Sequence, residues 1–481
     1  MQKTLPDERF ADHLRFPRAR GHIPAGACEG VAGGALCGDL ITVALTVRDE
    51  FVSDAGFTAS GCGASVAAGS AVVELITGAP LLDAARIGTP EVSAALGGLS
   101  AGKLHAADLA ADAMHQALGQ AARAHAQLAR DPARTLVAMS GGVDSAVAAL
   151  HCGSSAVAVT LELWRDFEND GERSCCSASA VRVARRVAHD LGLPHFTLDL
   201  RAEFRAGVVD PWLADHALGL TPNPCVRCNG HVRLDAMLAF ADRLGAPALA
   251  TGHYARTTPD GLVRQAVDPA KDQSYMLARL DPATTRRLRF PLGALEKPAV
   301  RAQAEAAGIS VAQTPDSQDL CFLAGTGKER FLARHGAQRE RPGDVVDRSG
   351  RRLGRHRGAH AYTVGQRRGL GVGGAGEPLY VLGTDVATNV VTVGPRAALA
   401  TTTVPVRDVV LHRPAGAVDA VRLRSHGRAL PAHLAEGSRA PSTQAPSTQL
   451  ELGEPVAGAA PGQLACLLEG DVVVGYATIT R

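Results

Sequence analysis

The fold is decided by the stretch Thr135-Leu-Val-Ala-Met-Ser140-Gly-Gly-Val-Asp-Ser145-Ala. Residues 135–139 form a short, mainly apolar run that predicts a buried parallel strand, and the composition of 145–151 favours a helix. The glycine-rich turn between them predicts an anion site, because free backbone N–H groups and the helix dipole point at a ligand there. Gly141 and Gly142 would let the backbone approach a phosphate closely, since neither has a Cβ.

Asp144 narrows the choice of ligand for this turn. A carboxylate is repelled by a bare phosphate, but it suits a Mg²⁺ ion that shares the phosphate charge. The turn lacks the Gly-Lys-Ser/Thr ending of the Walker-type loop. An ordinary strand–turn–helix would explain the two glycines, but it would not explain Asp144 together with Ser145. We therefore expect a nucleotide phosphate site that uses Mg²⁺.

Strand and helix patterns alternate after the turn. Further strands are predicted at 156–163, 195–200 and 248–251, and amphipathic helices at 179–191 and 231–244. This alternation predicts an α/β fold, in which a doubly wound parallel sheet binds its ligand at the carboxyl ends of the strands.

Length and composition limit the possible domain number, partners and cellular location of the protein. A chain of 481 residues suggests about three domains, and 46% hydrophobic with 20% charged residues excludes a largely disordered chain. The net charge of +2 does not indicate a nucleic-acid partner, so any basic surface must be local. The ten cysteines are irregularly spaced, which favours thiols or metal ligands over a disulfide framework. No signal-peptide pattern and no apolar run of about 18 residues is visible, so we expect a cytoplasmic protein without a membrane partner.

The segment before the turn carries four candidate metal ligands. Strands are predicted at 40–47 and 51–58, and helices at 67–76 and 106–122. At the turns and element boundaries lie Cys37, Asp39, Cys62 and His105. All four are ligands of first-row metals, and four of them suit a tetrahedral site, so the segment is predicted to hold a metal ion. The alternative is a domain that keeps the fold and serves only as a docking surface.

Three cysteine groups follow the turn. Cys225 and Cys228 form a Cys-x-x-Cys pair behind a proline-stiffened loop, and Cys321 stands alone about ninety residues later. A pair plus one distal cysteine suits either a three-thiolate [4Fe–4S] cluster or a nucleophile and persulfide carrier that later form a disulfide. The adjacent Cys175 and Cys176 are interpreted mainly as packing residues.

The C-terminal third predicts β structure. Short β runs separated by Gly/Pro turns indicate a small β domain followed by a β-barrel. Arginines concentrate at 341–357, which favours a phosphate-contact surface, and the repeat at 440–449 predicts a low-complexity loop. The predicted domains are 1–127, 134–320, 321–400 and 401–481.

The first segment resembles the U-type iron–sulfur scaffold family. The matching pieces are Cys37-Gly-Asp39, Ser60-Gly-Cys62-Gly-Ala-Ser65 and Lys103-Leu-His105. That family usually has a third cysteine directly after the histidine, where this chain has Ala106. The resemblance implies an α+β scaffold domain with zinc or an iron–sulfur cluster, or a sulfur-accepting role.

The turn resembles the pyrophosphate loop of N-type ATP pyrophosphatases, and residues 134–481 resemble the tRNA-specific 2-thiouridylase family. The matching motifs run in family order: Ser140-Gly-Gly-Val-Asp-Ser145, Cys175-Cys-Ser177, Thr221-Pro-Asn-Pro-Cys-Val-Arg-Cys-Asn229, Thr251-Gly-His-Tyr-Ala255, Lys271-Asp-Gln-Ser-Tyr275, Asp316-Ser-Gln-Asp-Leu-Cys-Phe322 and Gly365-Gln-Arg-Arg-Gly-Leu-Gly371. The resemblance implies ATP-dependent synthesis of 2-thiouridine at wobble position 34 of tRNA.

The resemblance also implies residue roles. Cys228 matches the nucleophile and Cys321 the persulfide cysteine, while Cys225 stands where some members have an aspartate. The ATP-contacting positions match Ala138, Met139, Ser140, Gly141, Gly142, Val143, Asp144, Ser145, Leu161 and Gly252. Contacts to the target base match Asn223, Pro224 and Cys225, and other tRNA contacts match His253, Lys271, Asp272, Gln273, Arg424 and Gln463. Arg424 is followed by Ser425 in place of the family's usual tyrosine.

These residue types fit one chemistry. Adenylation turns uridine O2 into a good leaving group, and Mg²⁺ with the loop N–H groups neutralises the departing pyrophosphate. Sulfur then reaches C2 from a persulfide on Cys321 or from hydrosulfide on a cluster held by Cys225, Cys228 and Cys321. The implied partners are the Lys, Glu and Gln isoacceptor tRNAs and a sulfur donor such as a cysteine desulfurase or a sulfur relay.

Two other functions remain open. In the first alternative, the chain is a sulfur or iron–sulfur carrier with a regulatory nucleotide-binding half. A carrier needs no RNA surface, however, and Lys271-Asp-Gln273 suggests one. An amidotransferase-linked synthetase is disfavoured because no glutaminase cysteine motif is visible.

Overall fold

A computed structural model describes residues 6–34, 38–165, 178–316, 320–336, 341–372, 377–435 and 448–481. Cys37, Cys175 and Cys176 therefore lie outside the described residues, as does most of the repeat at 440–449.

The N-terminal domain is an α+β unit. Its strands β1 (Cys28–Gly33), β2 (Leu40–Arg48) and β3 (Phe51–Ser60) form an antiparallel sheet in the order β1-β2-β3. Its helices are α1 (Pro6–Arg15), α2 (Gly63–Ile76), α3 (Leu81–Ala84), α4 (Thr89–Ala95) and α5 (Leu104–His125). Helix α5 packs closely on β1, since a Cβ on Gly30 would lie 2.0 Å from the carbonyl oxygen of Ala113. The two predicted strands and two predicted helices are confirmed, whereas β1 was not predicted because its Gly-rich sequence lacks a β pattern.

The second domain is built on a five-stranded parallel sheet. Its strands are β4 (Thr135–Ala138), β5 (Ala156–Glu162), β6 (His195–Asp199), β7 (Ala248–Thr251) and β10 (Leu288–Arg289), in the order β10-β7-β4-β5-β6. Its helices are α6 (Val143–Cys152), α7 (Ala178–Asp190), α8 (Arg201–Phe204), α9 (Asp210–Ala217), α10 (Pro224–Cys228), α11 (Leu234–Arg243), α12 (Pro282–Arg286) and α13 (Lys297–Ala306). The predicted doubly wound α/β fold is confirmed, and the helix predicted at 231–244 starts as a π-helical turn, Asn229–Arg233.

The C-terminal part is β structure, as predicted. After α14 (Lys328–His335), a small sheet contains β11 (Gly343–Val346), β12 (Arg352–His356), β13 (Leu379–Asp385) and β14 (Val390–Pro395). A six-stranded barrel follows, made of β15 (Ala400–Leu411), β16 (Ala420–Arg422), β17 (Leu430–Leu434), β18 (Thr448–Ala457), β19 (Leu464–Glu469) and β20 (Val472–Ile479). Pairing between β15 and β20 closes the barrel, which leaves no free edge between those strands.

A hairpin from the second domain extends the barrel sheet. Strands β8 (Arg256–Thr257) and β9 (Val263–Arg264) pair with each other, and β9 pairs with β20. Arg256 and Arg264 both donate to Asp471, at 3.0 and 2.7 Å. The barrel is therefore attached to the parallel-sheet domain by backbone pairing as well as by the chain itself.

The N-terminal domain docks on the edge strand of the parallel sheet. Helix α5 crosses β6 so closely that a Cβ on Gly119 would lie 1.9 Å from the carbonyl oxygen of Thr197. Arg182 donates to Asp112 at 2.6 Å, and Arg185 pairs with the same carboxylate. One cluster of buried apolar side chains continues from α5 into β6, including Leu118 and Phe196. The two domains therefore share one hydrophobic core and are not joined by the linker alone.

Three histidines line this junction. His115 of α5, His189 of α7 and His195 of β6 have ring centroids 5.7 to 6.5 Å apart. Burial lowers the pKa of each ring, and the nearby Arg185 charge lowers it further. The Nε2 atom of each ring is hydrogen-bonded. The partners are the Ile87 carbonyl for His115, the Ala85 carbonyl for His189 and the Thr160 hydroxyl for His195. Three neutral imidazoles at the junction are consistent with a permanent domain contact.

Within the described residues, no helix is both long and apolar enough to pass through a bilayer.

Substituting Gly119 tests whether the junction depends on close backbone approach. Gly119→Ala is expected to destabilise the full chain by about 1–3 kcal/mol, because the added Cβ overpacks the contact with β6 despite its better helix propensity. The measurement is the free energy of unfolding in denaturant. Gly102→Ala is the matched control, since nothing lies within 4 Å of a Cβ built there. Equal stability of the two variants would contradict the close packing.

Candidate functional site

The phosphate loop has the local geometry expected from its sequence. Gly142 is the N-cap of α6, and Gly141 has a φ of 76°, which favours glycine. The Ser145 hydroxyl donates to the Gly142 carbonyl at 2.9 Å and accepts from the Ser140 N–H at 3.1 Å. Hydrogen bonds of its own serines therefore stabilise the loop. The N–H groups in the first turn of α6 have no partner within the helix and are available to a ligand.

The other predicted ATP-contacting residues surround this loop. A Cβ on Gly252, after β7, would lie 2.9 Å from both the carbonyl carbon of Asp144 and the N–H of Ser145, so only glycine allows β7 to approach. Leu161 is a buried residue of β5, and Ala138 and Met139 are buried where β4 ends. The structure therefore brings the predicted set together at the carboxyl ends of adjacent parallel strands.

Asp144 is engaged by two side chains that sequence reasoning missed. Lys297 donates to its two carboxylate oxygens at 2.7 and 2.8 Å, and the Tyr254 hydroxyl donates at 2.8 Å. Burial, and then the Asp144 charge, raise the pKa of Tyr254 well above its usual range, so the phenol remains a donor. One signal could have found Lys297: it is the first residue of α13, where the helix dipole disfavours a cation unless an acid pairs with it.

Lys297 also reaches the segment that leads to Cys321. Its Nζ lies 2.8 Å from Asp316, which receives further hydrogen bonds from Lys271 at 2.8 Å and Arg301 at 3.1 Å. Burial works to raise the pKa of Asp316, but the hydrogen bonds from Lys271 and Lys297 outweigh it and lower that pKa. One network of ionised groups therefore joins the phosphate loop to the start of the Asp316–Phe322 motif.

The cysteine pair lies on the short helix α10. Asn223 is its N-cap, and its side-chain oxygen accepts from the Cys225 N–H at 3.0 Å, as this residue type commonly does. Pro224 occupies the first turn, Cys225 is partly buried and Cys228 is buried. The predicted target-base residues Asn223 and Pro224 thus also shape the helix that presents the thiols.

Cys321 is positioned by its neighbour Phe322. The Phe322 ring is buried and packs edge-on against Trp164, Trp212 and Phe331 at centroid distances of 5.1 to 6.4 Å. Cys321 itself is partly buried beside the same core. Aromatic anchoring of Phe322 therefore fixes the chain directly after Cys321.

The residues predicted to contact tRNA differ in how deeply they are buried. Arg424 is exposed, and Lys271 and Gln273 are partly buried. His253 is buried, and burial lowers its pKa to about 3. The Asp272 carboxylate bonds Arg422 at 2.6 Å and Ser274 at 2.8 Å, and Gln463 donates to the Thr221 carbonyl at 2.7 Å. In this structure the buried residues of the set support the fold around the site.

A polar cleft opens between the parallel-sheet domain and the barrel. Its volume is about 200 Å³, and its lining includes Asn223, Pro224, Arg227, Arg279 and Arg407. The same cleft is lined by Asp215 and Asp408, and Arg407 pairs with Asp408 at 3.1 Å. Among the described residues, the buried Nε of Arg279 has no hydrogen-bond partner. Three guanidinium groups beside the N-terminus of α10 suit a phosphate-bearing ligand.

The N-terminal domain holds a compact ligand group. Ligand atoms of Asp39, Cys62 and His105 lie within 4.8 Å of one another, and no other group of three or more such side chains is found in the described ranges. The Cys62 N–H donates to Asp39 at 2.7 Å, and the His105 Nε2 lies 2.9 Å from the same carboxylate. These contacts lower the pKa of Asp39. Oxygen, sulfur and imidazole donors at this spacing fit zinc or iron. The fourth predicted ligand, Cys37, lies outside the described residues.

The fold and the loop define a multidomain nucleotide-binding protein whose parallel-sheet domain is fused to a scaffold-like domain and a β-barrel. A bifunctional protein NifU/MnmA of Rubrobacter xylanophilus is 41% identical to this chain over 490 residues, which cover 98% of each chain. The chain belongs to this bifunctional NifU/MnmA family.

Further comparisons assign parts of the chain. The tRNA-specific 2-thiouridylase MnmA of Salinispora arenicola is 46% identical over 367 residues, which cover 72% of this chain and 98% of that protein. Residues 7–126 match the NifU-like N-terminal domain family, 133–325 the tRNA methyl transferase HUP domain family, and 329–395 the tRNA methyl transferase PRC-barrel domain family. The solved N-terminal part of a NifU-like protein from Brucella abortus is 23% identical and covers 23% of this chain and 76% of its own, with a TM-score of 0.16.

Metal analysis tests the N-terminal ligand group. The full chain, purified anaerobically and dialysed against zinc, is expected to retain about one zinc ion per chain at this group, and Cys62→Ser and His105→Ala are each expected to lower that content because they remove a ligand. Elemental analysis measures it. Cys28→Ser is the matched control, since Cys28 is a partly buried cysteine of β1 outside the ligand group. Undiminished zinc in Cys62→Ser would show that the group does not bind the ion.

Proposed function

We propose that this chain is an ATP-dependent tRNA 2-thiouridylase that modifies the wobble uridine, with its NifU-like domain holding a metal or accepting sulfur. The single observation that carries the proposal is the ion network from Asp144 of the phosphate loop, through Lys297, to Asp316 of the motif that bears Cys321. An enzyme that must activate a base with ATP before sulfur attacks needs its nucleotide site close to the segment that carries the sulfur. The 2-thiouridylase relatives support the same activity.

In this proposal the phosphate loop binds ATP for adenylation of uridine O2. The N–H groups at the start of α6 and the hydroxyls of Ser140 and Ser145 receive the pyrophosphate. Asp144 would hold Mg²⁺, which supplies charge neutralisation when it is bound. Leu161 and Gly252 shape the adjoining pocket for the nucleotide. Ala138, Met139, Gly141, Gly142 and Val143 complete it.

Sulfur transfer then follows one of two routes. In the persulfide route, the terminal sulfur on Cys321 attacks C2 and the C2–O bond breaks as AMP leaves. The Cys228 thiolate then attacks the Cys321 sulfur, which breaks the S–S bond to the base and leaves 2-thiouridine and a Cys228–Cys321 disulfide that an external thiol must reduce. In the cluster route, Cys225, Cys228 and Cys321 would hold a [4Fe–4S] cluster, which would supply hydrosulfide for attack on the activated C2. The thiol at Cys225 favours the cluster route over an acid–base role at that position.

Partners follow from the same proposal. The substrates are the tRNAs for Lys, Glu and Gln, and the sulfur comes from a cysteine desulfurase or a sulfur relay that meets the N-terminal domain. Arg424 and the cleft arginines contribute to the tRNA surface. The carrier hypothesis is less well supported, because a carrier has no use for a guanidinium-lined cleft beside Asn223 and Pro224.

Removing the predicted sulfur carrier tests the activity. Cys321→Ser is expected to abolish 2-thiouridine formation, because a hydroxyl cannot carry a persulfide or bind iron as a thiolate does, while ATP binding survives. Nucleoside mass spectrometry of tRNA incubated with ATP and a sulfide source measures the product. Cys152→Ser is the control, since burial raises the pKa of that thiol to about 11 and keeps it unreactive. The proposal would be overturned if Cys321→Ser formed 2-thiouridine as fast as the unsubstituted protein does.

Iron analysis of the same proteins separates the two routes. About four irons per chain that persist in Cys62→Ser but are lost in Cys225→Ser would indicate the cluster route. Absence of iron, with thiolation intact from a persulfide donor, would indicate the persulfide route. Full-length variants are preferable to a chain truncated at residue 128, because truncation would expose the apolar face of β6 that α5 covers.

Neutralising the cleft arginines tests the tRNA surface. Arg279→Gln and Arg407→Gln are each expected to weaken tRNA binding and to lower the slope of log Kd against log salt by about one, because each removes one phosphate contact. Filter binding over a salt series measures both quantities. Arg289→Gln is the control, because Arg289 is an exposed arginine on the short edge strand β10. Unchanged salt slopes in both cleft variants would remove the cleft from the tRNA path.

A further inference from the structure

We propose that Asp112 of the N-terminal domain is a positioning residue for the ATP site of the second domain. It acts through helix α7, which contacts Asp112 on one side and the phosphate loop on the other. The inference goes beyond the activity itself, since it gives the fused domain a part in ATP binding. It rests on the proposed function only for the role of the phosphate loop.

The contact between Asp112 and α7 is a buried ion pair. The carboxylate of Asp112, which is 8% exposed, accepts from the Arg182 Nε at 2.6 Å. It also accepts from the guanidinium group of Arg185, which is 7% exposed. Buried charges are costly unless they stay paired, and removing one partner of such a pair is strongly destabilising. Helix α7 is therefore held in the position where Arg185 meets Asp112.

A second contact holds α7 on the N-terminal domain further along the helix. The His189 Nε2 is hydrogen-bonded to the Ala85 carbonyl at 3.1 Å. The fit is close, because a Cβ on Gly88 would lie 3.0 Å from the His189 Nδ1. Arg182 and His189 are about two helical turns apart. The N-terminal domain therefore fixes the direction of α7 as well as its position.

The phosphate loop lies against the first turns of α7. A Cβ built on Gly141 would lie 3.0 Å from the Ala180 carbonyl oxygen and 3.6 Å from the Ala184 nitrogen. With about 3.6 residues per turn, positions 180 and 184 lie on roughly the opposite side of the helix from Arg182 and Arg185. The loop and the N-terminal domain therefore contact opposite sides of one helix.

A shift of α7 therefore changes the phosphate loop. Without the charge of Asp112, the Arg185 guanidinium group lacks its buried partner and moves toward water, which draws α7 away from its docked position. The Gly141 backbone then loses the surface that it contacts, and the loop N–H groups are less well aimed at the pyrophosphate. Misplacement by about 1 Å is enough to impair an active site. The docked N-terminal domain thus keeps the loop in its binding geometry.

The affinity for ATP tests the inference in the full-length protein. Asp112→Asn is expected to raise the Kd for ATP with Mg²⁺ about fivefold, at the low end of usual coupling strengths. Isothermal titration calorimetry measures the Kd at a temperature where circular dichroism shows the variant to be folded. Arg182→Gln is expected to raise the Kd by a smaller factor, because Arg185 keeps its bond to Asp112. Since Arg182 is half-exposed, this variant decides the outcome if Asp112→Asn does not fold.

Hydrogen exchange without ATP separates positioning from general destabilisation. In Asp112→Asn the amides of residues 140–145 are expected to exchange faster, while those of the barrel strand β19 keep their rate. A residue that only stabilised the domain junction would leave the ATP affinity of the folded protein unchanged.

Asp108→Asn is the matched control, because Asp108 lies one turn earlier on α5 and accepts from Thr89 of the N-terminal domain at 2.6 Å. It is expected to leave the Kd for ATP unchanged. The inference is overturned if folded Asp112→Asn binds ATP as tightly as the unsubstituted protein, or if Asp108→Asn weakens binding equally. Failure of the unsubstituted protein to bind ATP would instead contradict the proposed function, so the two failures are distinguishable.

Discussion

The catalytic domain has to neutralise one buried ammonium group, that of Lys297. Lys297 begins α13, at the end of a helix where a positive charge is disfavoured, and it is buried. Only the carboxylates of Asp144 and Asp316 make that position tolerable. The lysine in turn holds together the N-terminus of α6, the start of α13 and the Asp316–Phe322 motif. Three segments far apart in sequence therefore meet because one charge must be neutralised.

Prediction from sequence succeeded where local pattern decides structure. The strand, turn and helix at 135–151 follow from an apolar run, two glycines and helix-forming residues, and all three are present. Strands β2 and β3 followed from two adjacent β-rich runs in the same way. These features depend on neighbours in sequence, which is the information that a single sequence carries most directly.

Prediction failed where long-range contacts decide structure. Nothing in the spacing of Asp144, Lys297 and Asp316 indicates that they meet, since 153 residues separate the first two. Gly30 of strand β1 is required because α5 packs against it, and Gly119 is required because α5 also packs against β6. Likewise nothing local indicates that Asp272 pairs with Arg422 of the barrel, and the tRNA contact expected at Asp272 stays a prediction. Each of these depends on which element lies opposite, and only the tertiary arrangement supplies that.

The docked helix α5 also sets how far the N-terminal ligand group lies from the edge strand β6. His105 is in its first turn, and Gly119, fourteen residues later, contacts β6. At 1.5 Å per residue the ligand group lies about 21 Å along the helix from that contact. The helix is continuous and its interface is buried, so bending it to bring Cys62 to the sheet edge would expose the shared core. Under the proposed function, direct transfer of sulfur from Cys62 to Cys228 or Cys321 of the same chain is therefore disfavoured. Under the proposed function, the fusion is better explained as keeping the proposed sulfur donor bound close to the enzyme that uses its product.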